Sequence, residues 1–311
     1  MNATVWHAVG TYATPAGHRT AIILEDARYD LETAALHFKA AGAQFARRSL
    51  FEMLTRWDEA AADLAILADL LSTPSSAPAP LPPDMRFAAP YVPPRIFCTA
   101  SNFVEHANEM GTALAAKHDS EPYIFIKAST TIIGPGDVVV LPEASKKVDW
   151  EVELAAVIGR GGRNISVADA HQHVAAYAVF NDVSARDQGQ RTDFPFKQDW
   201  FRQKSYDTFG PFGPWIVPAA MIADPQDVSL KLQVNETVMQ DGSTRDMIFT
   251  LAEQIAYLSR ILTLERGDMI ATGTPTGVGM GRGIFLKDGD VMTASIPQIG
   301  TLQNPVRAAA Q

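Results

Sequence analysis

Residues 148–187 read VDWEVELAAVIGRGGRNISVADAHQHVAAYAVFNDVSARD. Two apolar runs, WEVELAAVIG and YAVFND, have the length and composition of strands and flank a polar stretch. Alternate side chains of a strand share a face. Trp150, Val152 and Leu154 therefore point one way, and Asp149, Glu151 and Glu153 the other. Neighbouring carboxylates on one face repel unless something neutralises them. Asp182 closes the second run, so if the two strands lie side by side three carboxylates converge. Anionic oxygens without a thiolate suit a hard divalent cation, Mg2+ first, then Mn2+ or Ca2+. Three protein ligands leave positions for water and substrate. The plain alternative is a solvated strand face that happens to be acidic.

Outward from this stretch the texture stays β-rich from Arg95 onward. IFCTA, YIFIKA, DVVVL, PWIVP, VSLKLQV, DMIAT and DVMTASI follow one another, separated by Gly, Pro, Asp and Asn. Helical patterns are fewer: Phe103 to Met110, Ser166 to His173 and Ile248 to Leu262. Many short strands with turn signals predict an α+β chain that is mostly β, a barrel or folded sheet with helices on its rim.

The N-terminal part differs. Thr20 to Leu24 reads as a short strand, whereas Leu31 to Phe38 and Ala61 to Leu71 carry helical apolar spacing. Ser72 to Pro94 follows, with 8 prolines in 23 residues. Proline fixes φ and removes a backbone donor, so this stretch reads as a linker or strap. The expected division is a small α/β domain over 1–71, a linker over 72–94 and a catalytic domain over 95–311. Length agrees, since 311 residues at about 150 per domain give roughly two.

Charge narrows the function. Lys plus Arg number 26 and Asp plus Glu 35, a formal charge of −9. Such a chain lacks the basic face that phosphates or anionic membranes require, so neither nucleic acid nor membrane is an expected partner. No apolar run approaches the roughly 18 residues of a membrane span, and the first twenty residues lack the pattern of a signal peptide. A single cysteine, Cys98, cannot form an intramolecular disulfide, and a cytoplasmic location is expected. Cys98 sits in IFCTAS and reads as a small buried hydrophobe. His171 and His173 stand at i and i+2 of a helical pattern and do not share a face. No phosphate loop, dinucleotide fingerprint or G-x-S-x-G elbow is present.

A base is easier to find. His106 and Glu109 in NFVEHANEMG stand at i and i+3, on one helix face. Glu109 can then accept one imidazole N–H and raise the basicity of the other nitrogen.

Read in order, the motifs of residues 95–306 resemble the fumarylacetoacetate hydrolase family. They are RIFCTASNFVEHANEMG, PYIFIKASTTIIGPGD, DWEVELAAVIG, NDVSARD, KSYDTFGPFGPWIV, LQVNETVMQ, GDMIATGTPTGVG and FLKDGDVM. The resemblance implies a distorted β-roll and usually a homodimer. It also implies Mg2+ or Mn2+ on Glu151, Glu153 and Asp182, the residues that the strand pattern selects. A His106–Glu109 pair would close over the metal. Arg186 and Lys204 would lie near the reacting oxygen or the substrate carboxylate, a structural ion pair with a nearby Asp such as Asp187 being the alternative for Arg186. Lys127 would lie near the metal as a substrate-binding residue, with pairing to the carboxylate ligands as the alternative. Gly273 and Thr274 would form the turn that binds a pyruvoyl carboxylate, as glycine-rich turns bind anions. Many family hydrolases place Gln seven residues after the metal Asp; Gly189 stands there, flanked by Gln188 and Gln190, and either could supply the amide.

The implied activity is hydrolysis of the C–C bond of a 2,4-dioxo acid, releasing pyruvate and a carboxylic acid. The rival on the same scaffold is a decarboxylase or isomerase of the oxaloacetate or 2-hydroxy-dienedioate type, which needs the metal as electron sink but no activated water. A binding protein without turnover is the third reading, and it has no need of a base.

Overall fold

A computed structural model describes residues 5–25, 27–39, 45–73 and 75–309. The strand Val152–Ile158 is buried at every position, and so is its antiparallel neighbour Val174–Asn181. Their sequences show why. A strand covered on both faces reads as a continuous apolar run rather than an alternating one. Val152, Leu154, Ala156 and Ile158 enter one core together with Leu230, Leu232, Met292, Ala294 and Leu302. Ala155 and Val157 enter a second core with Trp57, Ala60, Leu64, Leu67, Ala176 and Ala178.

Those two cores make three layers. Among the described residues, ten strands form the central sheet, in the spatial order Arg28–Asp30, Gly17–Ile23, Ala8–Thr14, Gly210–Pro218, Val174–Asn181, Val152–Ile158, Met269–Ala271, Ile96–Ala100, Tyr123–Lys127, with Ile132–Ile133 also on Gly210–Pro218. A five-stranded sheet covers one face: Thr237–Ser243, Ser229–Val234, Val291–Ile296, Gly300–Ala308 and Val139–Leu141. N-terminal helices, of which Trp57–Leu71 is the longest, cover the other. The result is α+β and rich in strand, as the turn-punctuated runs predict.

The N-terminal hairpin joins the central sheet where Val9 faces Ile216. Residues 81–88 of the proline-rich segment lie along this hairpin: Leu81 N–H donates to Arg28 O, Ala13 N–H to Arg86 O, and Ala88 N–H to Thr11 O. Small residues let the helical layer approach, since a Cβ on Gly159 would lie 2.7 Å from that of Ala175 and 3.2 Å from Trp57.

One helical expectation is corrected. Of Ser166 to His173, only Ala170–His173 turns, as 3-10 helix, before the chain enters the strand at Val174. Ser166 and Asp169 bond each other's side chain and backbone instead of continuing a helix, a local alternative open to both residue types.

Candidate active site

Strand register brings the acidic residues together. In the ladder between Val152–Ile158 and Val174–Asn181, Glu153 faces Phe180 and Val152 faces Asn181. One step further, Asp182 N–H donates to Glu151 O at 2.9 Å, and Glu151 N–H donates to Asn181 Oδ1 at 2.9 Å. Glu151, Glu153 and Asp182 are thereby held at one end of the sheet, with one carboxylate oxygen from each lying within 4.8 Å of the others. Asp149 does not share their site. It precedes a break in the strand, and its carboxylate accepts from Gly279 N–H at 2.6 Å, Met280 N–H at 2.9 Å and Arg186 Nε at 2.8 Å.

Three buried cations face this group. Lys127 Nζ donates to Asp182 Oδ1 at 2.6 Å. Lys204 Nζ bridges Glu151 Oε2 at 2.7 Å and Asp182 Oδ2 at 2.6 Å. Arg186 Nη2 lies 2.6 Å from Glu151 Oε1, at an angle that makes no hydrogen bond. Asp187 turns elsewhere, to Ser145 Oγ and Lys146 N–H.

Electrostatics separates the three acids. Burial works against ionisation of Glu151, but Lys204 and Arg186 outweigh it and hold the carboxyl below its ordinary value. Lys204 is itself raised, burial being overcome by Asp182 and Glu151. Glu153 behaves oppositely: burial pushes it well above the usual carboxylate range, and Asp182 and Glu151 push in the same direction. Among the described residues no cationic side chain bonds it, and its partner is Gly273 N–H at 2.9 Å. A buried carboxylate without a counter-charge is costly. The all-oxygen set and this unmatched charge fit a hard divalent cation.

The acids open on a cleft of about 520 Å3. His106, Arg186, Lys204 and Thr274 line it with them, and Met110, Leu114, Tyr123, Phe125, Trp200 and Met280 supply apolar wall. His106 rides on the short helix Val104–Glu109, whose entry is fixed by Asn102. That amide donates to Phe249 O and Thr272 O and accepts from Phe249 N–H. Nδ1 of His106 is buried without a hydrogen-bond partner, 3.6 Å from Glu109 Oε2. Glu109 is fixed in turn by Gly277 N–H at 3.0 Å. Burial opposes its ionisation, yet His106 and that backbone donor keep it below its ordinary value.

Gly273 lies at φ +98°, where a Cβ would meet Asn102 at 2.8 Å, and its N–H serves Glu153. Thr274 Oγ1 donates to Val152 O and accepts from Gln240 Nε2. Lys127 is sealed beneath the acids rather than on the cleft wall. The Gln188 amide donates to Ala144 O and accepts from Arg202. Gln203, which the sequence reading passes over, lines the cleft beside Lys204. Cys98 is fully buried, and burial pushes its thiol up, as suits an inert hydrophobe. Among the described residues no helix is long and apolar enough to cross a membrane.

Comparison with known proteins agrees with this architecture. The family model of the fumarylacetoacetate (FAA) hydrolase C-terminal domain matches residues 95–307. The human mitochondrial protein named oxaloacetate tautomerase FAHD2A is 41% identical over 226 residues, 72% of this chain and 70% of its own. A solved fumarylacetoacetate hydrolase from Exiguobacterium antarcticum superposes with a TM-score of 0.80 at 35% identity, over 97% of this chain and 100% of that one. Maleylpyruvate hydrolase from Sphingobium, solved with manganese(II) and pyruvate, gives 0.73 at 27% identity, over 97% and 100%. The acidic triad, the strand order that assembles it and the family match over 95–307 make this chain a member of the fumarylacetoacetate hydrolase family.

Proposed function

We propose that the protein is a divalent-metal-dependent enzyme that interconverts the keto and enol forms of a small 2-oxo dicarboxylic acid of the oxaloacetate type. The observation that carries this reading is His106 on the wall of the cleft that holds the three carboxylates, with its Nδ1 turned to Glu109 at 3.6 Å. The likeness to a protein named oxaloacetate tautomerase supports it. It replaces C–C hydrolysis as the leading reading, because enolisation asks for one base and one cation and no activated water.

Glu151, Glu153 and Asp182 would hold Mg2+ or Mn2+, which when bound supplies a Lewis acid for the 2-oxo and carboxylate oxygens and so acidifies the adjacent carbon. The chain's own groups do the rest. His106 accepts the proton from that carbon and returns it to the 2-oxo oxygen, so atoms balance and nothing is released. Glu109, anchored by Gly277, orients the imidazole and steadies the imidazolium while it exists. Arg186 and Lys204 place positive charge beside the developing enolate oxygen. Met110, Leu114 and Phe125 exclude water from the wall.

A second reading rests on the cleft's size. At about 520 Å3, with Tyr123, Phe125 and Trp200 on one side, it has room for an acyl arm longer than oxaloacetate offers. The same dyad could then activate water for cleavage of an acylpyruvate.

One experiment separates the two. Loss of the enol absorbance of oxaloacetate and release of pyruvate from acylpyruvates are followed in parallel, with Mg2+ and after chelation. Metal-dependent enol conversion without pyruvate release supports tautomerisation. Pyruvate release from an acylpyruvate, with no acceleration of enol conversion, supports the hydrolase and overturns the tautomerase.

A further inference from the structure

We propose that Gln203 is a substrate-contacting residue, and that Gly189 is a positioning residue whose missing side chain makes room for it. The inference rests on the reading above only in taking the ligand to be a small 2-oxo acid.

Gly189 and Gln203 both line the cleft. A Cβ on residue 189 would lie 2.0 Å from Gln203 Oε1 and 2.9 Å from its Cδ. No real pair of atoms approaches so closely, so any side chain at 189 would evict the amide. The backbone of Gly189 does not itself ask for glycine, since φ is −77° and ψ −23°, open to every L-residue. Space for Gln203 is what glycine supplies.

The amide so accommodated is uncommitted. Gln203 is 7% exposed, and among the described residues its side chain makes no hydrogen bond, although its backbone N–H donates to Asp199 O. Its polar atoms are open to the cleft it lines, free for a ligand. Of the nearby glutamines, Gln188 is taken up by Ala144 and Arg202, while Gln190 and Gln198, joined by a backbone bridge, are exposed on the rim of the cleft. Gln203 also adjoins Lys204, whose ammonium bridges Glu151 and Asp182. Gln203 and Lys204 line the same cleft, so the amide can donate to an anionic oxygen of a 2-oxo acid bound there. A neutral amide suits that place because it donates to oxygen without adding a counter-charge to the acids.

Oxalate, a planar dianion that resembles the enolate end of a 2-oxo acid, is the probe. Its binding to the Mg2+-loaded protein is measured by calorimetry, beside the Mg2+ affinity and melting temperature of each variant. Gln203→Ala is expected to weaken oxalate roughly tenfold, the effect of one hydrogen bond to a charged group, with Mg2+ affinity and melting unchanged. Gly189→Ala, which displaces the amide, is expected to do the same. The exchange Gly189→Gln with Gln203→Gly is expected to regain most of the loss, because the amide then grows into the same space from the other wall. Oxalate binding that is unaltered in Gln203→Ala, or absent in the parent, overturns the inference, as does an exchange variant no better than Gln203→Ala. If oxalate binding depends on Gln203 but oxaloacetate is not turned over, the proposed reaction falls and this assignment stands.

Discussion

Lys127 Nζ lies 2.6 Å from Asp182 Oδ1, and both side chains are sealed from solvent. The ammonium also donates to Val183 O at 3.0 Å, so it clamps the end of the strand Val174–Asn181 as well as its acid. Burial lowers Lys127's affinity for its proton, and the neighbouring Asp182 opposes that loss. Lys127 thus supports the acid cluster from the side away from the cleft.

Lys127→Met is therefore expected to destabilise the metal-free protein by about 3 kcal/mol in urea unfolding, since a buried carboxylate loses one of its two cationic partners. Added Mg2+ should recover part of that loss by binding the folded state. An unchanged unfolding midpoint would contradict the clamp.

His106→Ala should lower kcat for enol conversion by roughly 10²- to 10⁴-fold, the range of general acid–base contributions, while Mn2+ affinity stays within about twofold. Glu109→Gln should lose less than this, and the double variant little more than His106→Ala alone, because the two act as one unit. Full additivity of the two losses would separate Glu109 from the base.

Asp30 offers a test of the N-terminal layer far from the chemistry. Its carboxylate caps the helix Leu31–Phe38 through Thr33 and receives Arg19 and the Tyr12 hydroxyl. Burial works against ionisation, but Arg19 and Thr33 outweigh it and hold the group at about 2. The folded value lies below the unfolded one, so the stabilisation is complete above pH 4 or so and disappears as pH falls toward 2. Asp30→Asn should cost about 2 kcal/mol at pH 7 and converge with the parent near pH 2 in urea titrations. A constant difference across that range would assign the loss to packing instead.

Much of this was legible in the sequence for a physical reason. The apolar run from Leu154 to Ile158 has no polar interruption because both its faces are covered, and Glu151 and Glu153 stand just before it. A strand reading therefore places Glu151, Glu153 and Asp182 together once the two strands are neighbours. The helical pattern of Phe103 to Met110 is realised as the helix Val104–Glu109, which carries His106 and Glu109. What escaped depends on approach between distant segments. Arg186 is adjacent in sequence to Asp187 but bonds Asp149, because the two-stranded ladder of Val148–Asp149 with Ser184–Ala185 brings that acid across. Gly273 looked like part of an anion-binding turn, and its N–H is already given to Glu153. The partnership of Gly189 with Gln203 arises only when the helix Trp200–Lys204 packs against the turn at 186–188.

Glu153→Gln distinguishes a divalent-metal site at Glu151, Glu153 and Asp182 from a network of salt bridges. Lys204, Lys127 and Arg186 serve the other two acids, so the substitution removes no ion pair and leaves an acceptor for Gly273 N–H. Mn2+ is titrated calorimetrically into chelator-treated parent and variant, with urea unfolding of both metal-free proteins. For a metal site, Mn2+ binding weakens by more than roughly tenfold, with metal-free stability equal to or above that of the parent. Equal Mn2+ affinity, or a metal-free variant several kcal/mol less stable, as when a buried ion pair is broken, would contradict it.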